Sequence, residues 1–199
     1  LEALFSALFA MMNYKLILGS QSPRRQQLMH ELGFAFTTRV ISIEEHFPAD
    51  LAIEQVARYL AIEKGKAHFN SLATDELVVT ADTTVVVEQE VLNKPQSAEE
   101  AHIMLRKLSG RSHQVISGVC LTTQQWQSSF SEQTTVHFAP LTDEEISFYI
   151  EKYQPFDKAG GYAIQEWIGM IGIVRIVGSH FNVVGLPVHR LYQELKKVI

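Results

Sequence analysis

The apolar positions of this chain fall into short runs of two kinds, alternating along its length. Residues 14–18, YKLIL, are apolar and β-prone and predict a strand. Ser22 then stands as an N-cap with Pro23 in the first helical position. Leu28, Met29 and Leu32 supply the apolar stripe of that helix, and Gly33 ends it. Phe34 to Ile41 reads as a second strand. Residues 51–68 predict a helix with Ile53, Val56, Ala57 and Leu60 on its buried face, and the next position of that stripe is Lys64. Residues 77–87, LVVTADTTVVV, are a long β-branched run with one charge in the middle, Asp82. Glu90 to Asn93 would be its hairpin partner. Ser97 and Glu100 have capping-box spacing ahead of a helix bearing Ala101, Met104, Leu105 and Leu108, which Gly110 stops. Residues 113–122 and 129–138 read as two strands around a polar turn at Gln124 and Gln125. Thr142 and Glu145 form another capping box, opening a helix with Ile146, Tyr149 and Ile150. Residues 154–165 are a loop, and a strand follows near 168–177. After a polar turn at Gly178 and Ser179, the last helix starts at Pro187 and shows Val188, Leu191, Leu195 and Val198 on one face. Strands and helices alternate, yet some strands pair as hairpins, so an α/β fold with a mixed sheet is expected.

The 199 residues suit one domain of ordinary size, or two small lobes sharing a cleft. Residues 1–11 are short and apolar without the basic start of a signal peptide. They read as an appended extension, leaving 12–199 as a single domain; a native amphipathic arm is the alternative. No apolar run approaches the ~20 residues of a membrane span, so no membrane partner is expected. A net charge of −5 argues against a nucleic-acid groove, though not against a small basic pocket for one nucleotide. Cys120 is the only cysteine, which excludes an intrachain disulfide and a cysteine zinc site and fits a cytoplasmic protein. The eight histidines show no HxxxH or HxH pair, so no histidine-rich metal site is expected.

Candidate chemistry starts at the corner "LGSQSPRR", residues 18–25. A helix N-terminus offers unpaired N–H groups and partial positive charge, and Ser20 and Ser22 add hydroxyls. Arg24 and Arg25 project about 100° apart on the helix. Arg25 lies nearer the buried stripe, and Arg24 is freer to reach a ligand. The corner is either a capped helix with surface arginines or a phosphate site. Lys64 either snorkels from its core-stripe position or aims a cation into a cleft. Asp82 is the sharpest signal, because a carboxylate inside a buried β run is costly without a cation or metal. The alternative is that the run breaks there and exposes it. Lys94, Lys158 and the pair Glu44 and Glu45 are individually ordinary surface charges. Taken together, cations, a helix N-terminus and carboxylates suit a polyphosphate with Mg²⁺. No Ser-His-Asp order, P-loop or GxGxxG is present.

Seven stretches in order, "GSQSPRR", "AIEKGKA", "TADTTVV", "LNKP", "KLSGRSHQVISGV", "FDKAGGYAIQ" and "GSHFNVVGLPV", resemble the Maf family of nucleoside triphosphate pyrophosphatases over about residues 14–197. The resemblance implies a fold similar to that of the inosine triphosphatases, with an elongated mixed sheet, two lobes and a central cleft. It implies hydrolysis between the α and β phosphates with Mg²⁺ or Mn²⁺, releasing a nucleoside monophosphate and pyrophosphate, and a homodimer. It places the catalytic aspartate on Asp82 and substrate binding on Ser20, Ser22, Lys64, Lys94 and Lys158. The metal falls to Asp82 and Glu45, and base choice to Arg24, Thr83 and Gln165. Those three are the residue types of the family's dTTP/UTP branch. The other branch, for 7-methyl-GTP, carries Trp, Gln and Glu there. A 7-methyl-GTP or broad noncanonical pyrophosphatase, or a nucleotide-sensing regulator of cell division, are the competing functions. One departure stands out: the family's YGIQG is YAIQE here, with Glu166 beside Gln165.

Overall fold

The computed structural model describes residues 14–198; the extension expected at 1–11 lies outside them. Seven strands form one mixed sheet. They are β1 (Lys15–Leu18), β2 (Phe36–Thr38), β3 (Glu76–Val87), β4 (Glu90–Leu92), β5 (Ser112–Thr122), β6 (Gln127–Phe138) and β7 (Ile173–Val177). The order is β2-β1-β3-β5-β6-β7, with β4 also paired to β3. The pairs β1–β2 and β1–β3 are parallel and the rest antiparallel. The helices are α1 (Pro23–Glu31), α2 (Val56–His68), α3 (Ala98–Leu108), α4 (Asp143–Tyr153), α5 (Trp167–Gly172), α6 (His180–Val184) and α7 (Val188–Leu195).

β3 organises the molecule, because side chains alternate between its faces. Leu77, Val79 and Ala81 join one core with Leu28 and Met29 of α1 and Leu191 and Leu195 of α7. Val85 and Val87 join a second core with Leu105 of α3 and Ile146 and Tyr149 of α4. Thr83 stands between the two on that face. On the other face Thr80 donates to Ala61 O of α2 at 2.7 Å, and Val86 packs with Ala57 of the same helix. One edge of β3 is open in the middle. β1 pairs it as far as Val79, and β4 resumes only at Val85. Residues 80–84 therefore lack a strand on that side, and Asp82 lies at the centre of the gap.

α2 lies close on the sheet because of a glycine. Gly118 is the β5 partner of Asp82, and a Cβ there would fall 2.3 Å from the Arg58 backbone. The close approach lets Lys64, further along α2, reach the strand.

The buried positions of α1, α3 and α4 include the expected Leu28 and Met29, the four of Ala101 to Leu108, and Ile146, Tyr149 and Ile150. β3 runs unbroken through Asp82. Other expectations are corrected. The second strand shrinks to Phe36–Thr38, since only β1 pairs it and Arg39 turns to Glu76 at 2.7 Å. The strand near 168–177 is a helix, α5, followed by a shorter strand. An apolar run does not by itself separate the two. Gly169 decides for the tight turn: a Cβ there would lie 2.0 Å from Ile164 O. α6, capped by Ser179, and the 3₁₀ turns Pro155–Asp157 and Ala159–Gly161 fall in segments read as turn or loop. The capping box closes fully at Thr142 and Glu145. At Ser97 it is half formed, because Glu100 Oε2 takes Gln96 N–H at 2.7 Å instead.

Candidate active site

The gap in the edge of β3 opens a cleft lined by the α1 corner, Lys64, Asp82, Thr83, Lys94, Asp157 and Lys158. Ser22 caps α1, its Oγ accepting from Arg25 N at 3.5 Å. Ser20 is buried, and its Oγ accepts from Ser22 N at 3.2 Å and Arg25 Nη1 at 3.4 Å. The corner is thus held as a rigid platform at the mouth of the gap.

Arg25 fills the missing strand's place. Its Nη1 donates to Ala81 O at 2.9 Å, its Nε to Gly185 O at 2.8 Å and its Nη2 to Thr83 Oγ1 at 3.1 Å. Thr83 Oγ1 also shares a hydrogen bond with Ser117 Oγ at 2.8 Å. Burial pulls the Arg25 guanidinium below the ordinary arginine range. Arg25 is committed to two carbonyls and two hydroxyls, whereas Arg24 Nη1 spans the cleft to Asp157 Oδ2 at 2.9 Å.

Asp82 and Glu45 converge on one cation. Lys64 Nζ lies 2.6 Å from Asp82 Oδ1 and 2.7 Å from Glu45 Oε1. Lys64 and Asp82 are only 16% and 14% exposed, so their pairing is weakly screened. Lys64 therefore does not snorkel. Partial burial opposes the charge on Glu45, yet the hydrogen bond and charge of Lys64 outweigh it and hold that carboxyl below the usual range. Asp157 is similar: burial works against its charge, and hydrogen bonds from Lys158 and Arg24 hold its carboxyl down. Lys158 is buried and lies 2.7 Å from Asp157 Oδ1. Lys94 is exposed at the rim.

The cleft thus brings together Ser20, Ser22, Arg24, Glu45, Lys64, Asp82, Thr83, Lys94 and Lys158. It does not bring Gln165, whose side chain is exposed and absent from the cleft walls. Glu166, the neighbour of Gln165 in sequence, turns to Tyr149 and Lys158. Two participants escape sequence reasoning. Asp157 carries no role in the sequence reading, where it stands only within the stretch "FDKAGGYAIQ". Arg25 was placed near the core without its backbone targets, although its position one turn before Leu28 and Met29 was the available signal.

Two carboxylates that already hold one cation between them are a donor set suited to a hard divalent ion. Such an ion commonly takes one or two protein carboxylates and fills its remaining positions with phosphate oxygens and water. Among the described residues, no group of three or more His, Cys, Asp or Glu gathers as a metal cage. Cys120 is buried, its thiol pushed up to about 11 by burial.

The fold and cleft define an α/β protein with a mixed sheet and a charged cleft at a gap in its central strand. The chain belongs to the Maf family: the family model described as "Maf-like protein" matches residues 15–198. It is 53% identical over 186 residues to a protein of Phocaeicola vulgatus named "dTTP/UTP pyrophosphatase", covering 93% of this chain and 96% of the relative. A Bacteroides thetaiotaomicron protein of the same name is 50% identical over the same shares of both chains. Among solved structures, the Staphylococcus aureus Ham1 protein is 18% identical with a TM-score of 0.46, covering 92% of this chain and 98% of that one.

Proposed function

We propose that this protein hydrolyses dTTP and UTP to the nucleoside monophosphate and pyrophosphate. The observation that carries the reading is the meeting of Asp82 with Lys64 beside the α1 corner, ringed by Arg24, Lys94 and Lys158. The names of relatives about half identical along nearly the whole chain supply the substrate.

In this reading the cations and the α1 N–H groups hold the triphosphate. Lys64 occupies Asp82 Oδ1 and leaves Oδ2 to accept a proton from the attacking water. The water oxygen bonds to the α-phosphorus as its bond to the bridging oxygen breaks, and the leaving pyrophosphate takes the electron pair. Lys94, Lys158 and Arg24 offset the charge that develops there. A divalent cation, held by Asp82 and Glu45, would supply further charge neutralisation on the phosphates. Base choice is assigned to Arg24, Thr83 and Gln165 together. An amide offers both donor and acceptor to the edge of uracil or thymine, and no internal hydrogen bond engages the Gln165 side chain among the described residues. Residues 12–199 are taken as one domain, working as a homodimer in the cytoplasm.

A panel of nucleoside triphosphates with pyrophosphate detection tests the reading. Release from dTTP and UTP well above that from 7-methyl-GTP is expected. Preference for 7-methyl-GTP, or no turnover of any triphosphate, overturns it.

A further inference from the structure

Lys158 has two carboxylate neighbours, and only one lies on the cleft wall. Its ammonium is 2.7 Å from Asp157 Oδ1 and 3.4 Å from Glu166 Oε1, and the side chain is 8% exposed. Asp157 is shared, since its other oxygen takes Arg24 at 2.9 Å. Glu166 has a fixed support instead. Its Oε2 accepts from the Tyr149 hydroxyl, whose oxygen accepts in turn from Ala163 N at 3.2 Å. Tyr149 belongs to the buried face of α4, and its ring stacks on Tyr153 with centroids 5.1 Å apart. Burial and the Glu166 carboxylate push the phenol far above its ordinary range, so it stays a donor.

The contacts therefore run in series from Arg24 through Asp157, Lys158 and Glu166 to Tyr149. The first end is half-exposed at the cleft and the last is locked in a core. We propose that Glu166, anchored by Tyr149, is a positioning residue that holds the Lys158 ammonium at the cleft wall for the triphosphate. This rests on the reading of Lys158 as a phosphate-binding cation. A phosphate arriving between Arg24 and Lys158 competes with Asp157 for both cations. Glu166 is the partner that the phosphate does not contest, because it sits behind the lysine in the series. A long lysine chain has many rotamers, and a second fixed acceptor narrows them before the ligand arrives, the general route by which preorganisation raises affinity. Glu166 stands where the family pattern "YGIQG" ends in glycine.

The test compares Glu166→Ala, Glu166→Gln and Tyr149→Phe for affinity toward a methylene-bridged, non-hydrolysable dTTP analogue, and for kcat and KM with dTTP. Position matters here more than charge, so Glu166→Ala weakens analogue binding about tenfold, and kcat/KM for dTTP falls by at least as much because Lys158 also meets the charge that develops on the leaving pyrophosphate. Glu166→Gln keeps the side chain's shape but only one acceptor oxygen, which serves Tyr149 or Lys158 and not both, so its binding falls between Glu166→Ala and wild type. Tyr149→Phe falls between them. In a Lys158→Ala background, Glu166→Ala changes affinity by less than about twofold, because its target is gone. Wild-type affinity in Glu166→Ala overturns the proposal. So does an equal loss with and without Lys158, which would mark a purely structural role, and so does Lys158→Ala binding like wild type. Circular dichroism melting confirms that each variant is folded, and Glu166→Gln with Tyr149→Phe carries the test if Glu166→Ala is not. Absence of turnover with the Glu166 dependence of binding intact would instead overturn the assigned activity and leave this proposal standing.

Discussion

Lys64 Nζ and Asp82 Oδ1 meet at 2.6 Å, although one belongs to a helix and the other to the central strand of the sheet. The pair solves a problem each residue poses alone. A carboxylate within a β-branched run and an ammonium in an apolar helical stripe would each be costly to bury unpaired. Paired, they place one carboxylate oxygen in a fixed position and leave the other for chemistry. Asp82→Asn keeps the shape and removes the base. We expect turnover of dTTP to fall about 10²-fold or more while affinity for a non-hydrolysable analogue persists. Near-wild-type kcat in the variant would remove Asp82 from the mechanism.

The same pair bears on metal dependence. Glu45 and Asp82 already attract one cation between them, and the cleft's remaining cations face a triphosphate of about four negative charges. Protein cations alone leave much of that charge uncompensated where it builds up during cleavage. Exhaustive chelation should therefore abolish most turnover, with restoration by Mg²⁺ or Mn²⁺. Undiminished pyrophosphate release after chelation would refute the role.

The distance between Lys64 and Asp82 depends on a residue with no side chain. Gly118 faces Asp82 across the β3–β5 ladder, and α2 crosses directly over it. Gly118→Ala forces a methyl group into the Arg58 backbone. Overpacking of this kind costs about 1–3 kcal/mol, and relief requires α2 to lift, which draws Lys64 from Asp82. A lower melting temperature should come with reduced kcat. A variant that melts like wild type would show that α2 has slack the packing does not suggest.

Much of this arrangement was legible beforehand. The stripes of α1, α3 and α4 are periodic and locally capped, so sequence order suffices to find them. Asp82 and Lys64 were visible as polar residues breaking apolar patterns, and the resemblance pointed to Arg24, Glu45, Thr83, Lys94 and Lys158, but not to Asp157. What local pattern does not encode is where a strand loses its neighbour. The open edge at 80–84 follows from β1 ending at Leu18 and β4 ending at Leu92, opposite Val85. Only that gap turns Arg25 from a residue near the core into the donor for Ala81 O. α5 was missed for a related reason. Its apolar residues fit strand or helix equally, and the contact of Gly169 with Ile164 O that decides between them is tertiary in origin.

His113 gives the fold a pH dependence. It is 2% exposed, its Nε2 is 2.6 Å from Tyr162 Oη, and burial, with His137 adding, lowers its pKa from 6.5 to about 4. Between these values the unfolded chain binds a proton that the folded one refuses. Stability therefore falls as pH drops through that window, by about 2 kcal/mol between pH 7 and 5 for this residue. His68, also lowered by burial, adds with the same sign. Urea unfolding at the two pH values should show the loss in wild type and a shallower one in His113→Phe. Identical slopes would rule out His113 as its source.

Arg24 and Arg25 are adjacent and chemically identical, so conservative substitution separates their roles. Arg25 spreads three bonds over Ala81 O, Gly185 O and Thr83 Oγ1, each from a different nitrogen. A lysine carries one nitrogen and cannot reach three acceptors set around a planar fork. Arg25→Lys therefore strands at least one buried carbonyl, at about 1–3 kcal/mol each. It also frees the α1 corner from the open edge of β3, so stability and kcat/KM should fall together. Arg24 makes one half-exposed ion pair, with Asp157. Arg24→Lys keeps the charge, and an exposed pair is worth about 0–1 kcal/mol, so the melting temperature should hold while kcat/KM for dTTP falls about tenfold from the lost planar contact with the ligand. Melting curves and kinetics on the two single variants decide the matter. A stable Arg25→Lys beside an unstable Arg24→Lys would reverse the assignment of which arginine builds the cleft and which serves it.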